Sequence, residues 1–187
     1  IADVHEKTRK DSRLSITYPF KNDANLRDMY VDHKGHLLIG KVFEDLDAFA
    51  GNIAHDHCDD NNPETHRLSL VTASVDEIIQ KRPILVKENI NLVGQVAWVG
   101  NSSLDVIVEI HKDDSSGSTD SILLSSFFTY VARDKQSGRA APVNKLVLED
   151  DLVCAEVQLF EERKRIAAER KLEKEKSHAG PRALSLE

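Results

Sequence analysis

The chain has 187 residues, a net charge of −7 and 30% charged residues against 40% apolar ones. That length suits one core of ordinary domain size with some chain to spare, and no apolar run approaches the roughly 18 residues of a membrane span. The negative charge argues against non-specific binding to nucleic acid or anionic lipid, since both need a concentrated positive field. Cys58 and Cys154 have no metal-ligand spacing and fall in distant segments, so free thiols in a reducing compartment are expected. The chain opens on Ile1, as expected of a processed or truncated product, so any targeting segment upstream lies outside these residues.

Residues 1–13 are polar, have no period and read as a tail. Residues 14–20 alternate apolar and polar side chains up to Pro19 and Phe20, which suits a short edge strand. A helical turn over 26–30 follows. From Leu38 the period changes: Leu38, Val42, Phe43, Leu46, Phe49, Ala50, Ile53 and Ala54 recur at spacings of three and four, which predicts a core-facing helix over 39–57. Residues 56–67, with Asp56-His57-Cys58-Asp59-Asp60-Asn61-Asn62-Pro63, form a loop by composition.

Strands are predicted over 68–79, 90–99, 104–110 and 122–133, with a turn at Gly100-Asn101-Ser102-Ser103 and a hairpin loop over 113–120. Strand, helix and then four strands make an α+β pattern, in which an antiparallel sheet wraps one central helix. Residues 14–145 form that domain. Beyond it, residues 159–176 are almost wholly charged, with pairs such as Glu161 and Arg165 that support an exposed helix. Residues 177–187 read as unstructured, so 146–187 is expected to be a charged helical linker and tail.

The segment 35–51, GHLLIGKVFEDLDAFAG, resembles the helix signature of the hotdog-fold acyl-CoA thioesterases. In that family a glycine-rich turn opens the helix and an acidic residue follows about two turns later. Three later segments resemble the family in the same order: VTASVD from Val71, GQVAWVGNSS from Gly94 and FTYVARD from Phe128. The EDLD string and the TYPF opening are most similar to the first domain of two-domain mitochondrial acyl-CoA thioesterases. Where relatives carry paired glycines, this chain has Ile39-Gly40.

The resemblance implies hydrolysis of acyl-CoA to free acid and CoA, with no cofactor and a mitochondrial location. It implies Asp47 as general base or nucleophile, and the Gly40 N–H as a donor to the thioester carbonyl, where a helix N-terminus carries partial positive charge. His36 is a further candidate, as orienter of substrate or water or as a plain turn histidine. Thr72 and Ser74 are candidates for thioester contact or core-facing small residues. Asn101, Ser102 and Ser103 are candidates for the pantetheine arm or a plain turn. For the CoA phosphates the available cations are Lys81, Arg82, Arg133 and Arg139, among which no spacing selects.

Glu44 and Asp45 are explained as partners of the helix dipole, and Trp98, Phe127, Phe128 and Tyr130 as core or interface residues without chemistry. His33, His55, His57 and His66 with Asp56, Asp59 and Asp60 lack metal-ligand spacing and read as a solvated loop. Because a lone hotdog sheet leaves an open edge and half a groove, the expected partners are acyl-CoA or CoA and a second hotdog, as a domain or an identical subunit. The rival from another class is a non-catalytic hotdog module for dimerisation or acyl-CoA binding. A dehydratase of 3-hydroxyacyl thioesters is disfavoured, because the helix carries His55 and His57 at its far end.

Overall fold

The computed structural model describes residues 4–60, 62, 68–113, 121–148 and 154–179. Its elements are β1 (Glu6–Lys7), β2 (Leu14–Tyr18), α1 (Ala24–Asp28), α2 (Ile39–Cys58), β3 (Ser69–Gln80), β4 (Ile90–Val99), β5 (Ser103–Lys112), β6 (Ile122–Arg133), β7 (Lys145–Leu146) and α3 (Cys154–Ala179). Five strands form one antiparallel sheet in the order β2-β4-β5-β6-β3, with β2 and β3 at its edges. The predicted loop over 113–120 falls almost entirely outside the described residues, as do 180–187 and His66.

The central helix forms where its apolar period places it. Val42, Leu46, Phe49, Ala50, Ile53 and Ala54 are buried along one side, against Leu104, Val106, Val108 and Ile110 of β5, all at 0% exposure. Alternation along β5 puts those four on the inner face and Asp105, Ile107 and Glu109 on the outer one. Helix and sheet approach closely at Gly94, where an added Cβ would lie 2.5 Å from Ile53 Cδ1 and 3.1 Å from both Phe49 Cε1 and the Ile107 carbonyl oxygen. A Gly94→Ala substitution is therefore expected to destabilise the fold by about 1–3 kcal/mol through overpacking. Chemical denaturation checks this, and an unchanged midpoint would contradict the contact.

Residues 4–13 are not the expected tail. β1 pairs in parallel with β7, and Arg9 and Ser12 are 3% and 1% exposed. The attachments are polar, so no apolar period announces them. His5 N donates to Asn144 Oδ1 at 2.9 Å, and Lys7 Nζ donates to the Asp56 and Asp59 carbonyls at 2.5 and 2.6 Å, satisfying acceptors at the C-terminus of α2. Asn144 Nδ2 donates to the His57 carbonyl at 2.8 Å, while the Asn144 carbonyl accepts from His57 Nε2 at 3.1 Å.

His57 is 0% exposed, and burial pushes its pKa down to about 4. The unfolded chain binds a proton near the ordinary histidine value of about 6.5 and the native protein does not. Stability from this group is thus intact above that value and declines as pH falls towards 4, by on the order of 3 kcal/mol. A His57→Gln variant is expected to show a flatter decline across this window in pH-resolved unfolding; parallel curves would exclude His57 as the cause. Burial likewise pushes the Cys58 thiol up to about 12, which leaves it protonated at neutral pH.

The charged segment forms a helix as predicted, but α3 is docked on the sheet rather than exposed on all sides. Its intermediate and buried positions, Glu156, Leu159, Phe160, Arg163, Ile166, Ala167 and Arg170, follow helical spacing. Arg163 is 1% exposed: its Nε donates to Asp105 Oδ2 at 2.8 Å and its Nη2 to Asp76 Oδ2 at 3.2 Å, and its guanidinium lies 4.2 Å from the centre of the Phe127 ring. Arg170 donates to Thr129 Oγ1 at 3.1 Å and pairs with Asp76. The start of the helix is held at the other side of the sheet, where Glu156 accepts from Gln95 at 3.4 Å and faces Arg9 at 3.7 Å.

Candidate active site

Two segments set the entry to α2. Asp32 Oδ1 accepts from the backbone N–H groups of Lys34 and His36 at 2.8 and 2.9 Å, and Gly35 takes φ of 80°, so 32–36 closes as a tight turn. The Leu38 N–H donates to the Tyr30 carbonyl at 2.8 Å, while the Tyr30 hydroxyl donates to Asp45 Oδ2. Tyr30 thus ties the turn to the helix. The Ile39 and Lys41 N–H groups donate to the Leu37 and Leu38 carbonyls, and Gly40 N–H lies between them in the first turn, where helical donors lack intrahelical acceptors. An added Cβ at Gly40 would meet nothing within 4 Å, and the Ile39 side chain beside it is 38% exposed.

Asp47 sits two turns further on and is exposed. It is nevertheless held: Thr72 Oγ1 on β3 donates to its Oδ1 at 3.2 Å, and the Tyr130 hydroxyl on β6 donates to its backbone carbonyl at 3.0 Å. Thr72 and Tyr130 face one another in register, so one edge strand and its neighbour both grip the helix at this residue. Burial and the nearby Asp47 carboxylate raise the Tyr130 hydroxyl pKa, keeping it a donor. A carboxylate held by a threonine hydroxyl and open to solvent can accept a proton from water or attack a carbonyl directly.

The other expected residues divide. Ser74 does not join Thr72, because a register shift between them turns Ser74 to face Thr129 on the outer side of the sheet. The His36 ring, 74% exposed, faces Asp32 at 3.2 Å, so the acidic group of this turn is Asp32 and the histidine is its partner. Ser103 lies in the same cross-strand row as Val131 and Val71, next to Thr72. The Asn101-Ser102-Ser103 turn is therefore at the Thr72 end of the sheet, two strands and about 10 Å away. Arg133, paired with Ser69, and Arg139 are at that end, whereas Lys81 and Arg82 bond near Leu123 at the opposite one.

Asp45 is engaged by Tyr30 and is no mere dipole partner. Among the described residues no group of three histidines, cysteines or carboxylates is arranged to hold a metal ion. Ser121, His111 and Glu109 form a hydrogen-bonded series of 3.0 and 2.9 Å, but Ser121 is only 8% exposed, and the series braces one end of β5 and β6. Two clefts, of about 510 Å³ beside Lys7 and Asp59 and about 550 Å³ beside Asn52 and His55, do not include Asp47. Asp47 faces open solvent beside β3, whose Val71, Val75, Ile78 and Ile79 are 45–49% exposed.

Tyr130 is the site residue that composition and period do not reveal, since its pattern is that of a core aromatic and only its hydroxyl reaches α2. Tyr130→Phe removes one neutral hydrogen bond and leaves the Asp47 carbonyl one partner short. The expected result is a loss of about 1–2 kcal/mol in stability with a several-fold fall in any turnover that depends on Asp47. Thermal unfolding beside a substrate assay checks it, and unchanged values of both would contradict the grip.

No family model matches the chain. Individual relatives do. The chain is 44% identical over 158 residues to the chloroplastic acyl-coenzyme A thioesterase 2 of Humulus lupulus, covering 83% of this chain and 36% of that protein. It is 32% identical over 157 residues to the mitochondrial acyl-coenzyme A thioesterase 9 of Bos taurus, covering 83% of this chain and 35% of that one. With an uncharacterized acyl-CoA thioester hydrolase of Bacillus subtilis it shares 33% identity over 145 residues, 78% of this chain and 77% of the relative. The chain thus spans about a third of the length of the plant and bovine relatives and most of the bacterial one.

Among solved structures, an acyl-CoA hydrolase of Staphylococcus aureus in complex with butyryl-CoA, CoA and CoA disulfide superposes with a TM-score of 0.69 at 22% identity, over 92% of this chain and 94% of that one. An apo hexameric acyl-CoA thioesterase gives 0.66 at 26% identity, over 95% of this chain and 100% of that one. The sheet order, the wrapped helix and the bacterial relative matched over most of its length lead to one assignment: the chain belongs to the acyl-CoA thioesterases of the hotdog fold.

Proposed function

We propose that this chain is a hotdog domain that hydrolyses acyl-CoA thioesters to free acid and CoA without a cofactor, and that a second hotdog completes its site. The observation that carries the reading is the Thr72 hydroxyl on Asp47 Oδ1 at 3.2 Å, two helical turns from the N–H of Gly40, an exposed residue in the first turn of α2. The thioester oxygen sits at that N–H, where negative charge develops. In one route Asp47 takes a proton from water as the water oxygen bonds to the carbonyl carbon; the C–S bond breaks and the CoA thiolate leaves, recovering the proton. In the other the Asp47 oxygen forms that bond, CoA leaves, and water hydrolyses the mixed anhydride.

A second hotdog is supported by the open β3 edge and by the exposure of Asp47 beside it. The pantetheine arm would run along the Asn101-Ser102-Ser103 turn, with Arg133 and Arg139 nearest for the phosphates. The hexameric thioesterase, matched over its whole length, supports assembly from single-hotdog chains; the longer plant and bovine relatives leave room for a second domain. Their chloroplastic and mitochondrial names support an organelle, of which the mitochondrion is the proposal. The test is release of free CoA thiol from a series of acyl-CoA substrates by the chain in its paired state. Turnover is expected; tight binding of acyl-CoA with no thiol release would favour the non-catalytic module instead.

A further inference from the structure

We infer that Tyr30 and Asp45 are positioning residues for the reaction: they fix the N-terminus of α2 in place of a capping side chain, which would occupy the donor to the thioester carbonyl. This rests on the hydrolysis proposed above and adds a further part to its site.

A helix ordinarily opens on Ser, Thr, Asp or Asn, whose side-chain oxygen accepts from the second or third N–H of the helix. In α2 those belong to Gly40 and Lys41. The Lys41 N–H already donates to the Leu38 carbonyl at 3.0 Å, which leaves Gly40 as the donor that a cap would take. Capping and binding of the thioester oxygen therefore compete for one N–H. The residue at the cap position is Leu38, whose side chain makes no such hydrogen bond.

The helix end is secured from further back instead. The Leu38 N–H donates to the Tyr30 carbonyl at 2.8 Å, Val31 and Leu37 pair across the turn, and Lys41 Nζ lies 5.1 Å from the centre of the Tyr30 ring. Tyr30 is 5% exposed. Its ring packs on those of Phe20 and Tyr18, with centres 5.1 and 5.7 Å away, and its hydroxyl donates to Asp45. The Tyr18 hydroxyl, from β2, faces the same carboxylate and hydroxyl. Burial and then the Asp45 carboxylate raise the pKa of both tyrosines, so both stay protonated at neutral pH.

Asp45 is the point on α2 to which this assembly is tied. Gly40 and Asp47, seven residues apart, share a face of the helix, and Asp45 is turned from them by about 140–160°. The clamp thus grips one side and leaves the side with Gly40 and Asp47 exposed. Thr72 and Tyr130 hold the helix at Asp47, while Tyr30 and Asp45 hold it at the Gly40 end, so donor and carboxylate are both fixed relative to the sheet.

The experiment is thiol release by the chain in its paired state, with kcat and KM resolved, beside thermal unfolding and residue-resolved amide exchange. In Tyr30→Phe, kcat is expected to fall about tenfold with KM within about twofold, and the Leu38 N–H to exchange faster while the C-terminal half of α2 keeps its protection. Asp45→Ala should behave alike, and Asp45→Asn, which keeps an acceptor for the Tyr30 hydroxyl, should recover most of kcat. Leu38→Asn supplies the missing cap: it should melt higher than Leu38→Ala yet turn over about tenfold more slowly than that variant. Leu38→Asn that is the more stable and turns over as fast as Leu38→Ala would overturn the inference. So would a loss in Tyr30→Phe carried by KM, or faster exchange along the whole of α2. Wild-type turnover with no change in these variants overturns the clamp alone; no thiol release by the wild-type chain overturns the hydrolysis reading and the clamp with it.

Discussion

Replacing Asp47 by Asn is expected to lower kcat for acyl-CoA hydrolysis by about 10²–10⁴-fold, the range for loss of a positioned base, and to leave CoA binding within a few-fold. The substitution keeps the volume and an acceptor for the Thr72 hydroxyl, so the 3.2 Å contact and the grip of Tyr130 on the backbone survive. Only the capacity to take a proton or attack a carbon is lost. Thr72→Val is the graded companion: it leaves the carboxylate but frees it to rotate, and the expected loss is nearer tenfold. Wild-type turnover in Asp47→Asn would remove this residue from the chemistry, whatever the fold. The two routes part in a single turnover in ¹⁸O water, where only the anhydride route carries label into the Asp47 carboxylate.

What was legible beforehand follows the physics of each signal. The 39–57 helix and the strands over 90–99 and 122–133 show in the sequence because apolar burial repeats with a period, and their bounds match α2, β4 and β6 closely. Thr72 stands out in the sequence only as a candidate for thioester contact, and its hydrogen bond to Asp47 depends on a strand-to-helix approach that no motif spells out. Ser74 was misplaced because a bulge leaves no mark in the alternation of VTASVD and turns one residue over. Tyr130 was missed because burial of the ring and reach of the hydroxyl are separate properties of one side chain. Asp32 was overlooked beside His36, although an aspartate followed three residues later by glycine is a turn signal.

Residues 4–13, which read as a tail, and 159–176, which read as an exposed helix, both prove to be attached to the domain, and for a common reason. Residues 4–13 and α3 attach through arginines, lysines, asparagine and backbone carbonyls, and a charged stretch has the same composition whether solvent or a buried carboxylate faces it. In α3 the distinction lies in spacing: Arg163 and Arg170 are one heptad apart on the side that carries Leu159, Phe160 and Ile166. Apolar residues there are too few to declare a core-facing helix, and the arginines supply the rest.

Arg163 is accordingly where a single substitution should cost most stability. Arg163→Ala leaves Asp105, 1% exposed, with only the Thr129 hydroxyl at 2.7 Å, and strips the guanidinium from the Phe127 ring. An uncompensated buried charge of this kind costs about 3–5 kcal/mol, which for a chain of this size lowers Tm by about 6–20 °C. The pair itself need not be a large net source of stability, since both groups lose water and Arg163 Nη1 has no partner. Replacing both charges, Arg163→Met with Asp105→Leu, should therefore recover most of the loss, because Asp76 and Thr129 keep Arg170. Thermal unfolding of the two single variants and the double variant separates the cases. A large loss in each single variant with recovery in the double identifies a desolvated pair holding α3 to the sheet, while a drop below about 2 °C in Arg163→Ala would mean that the helix is held elsewhere.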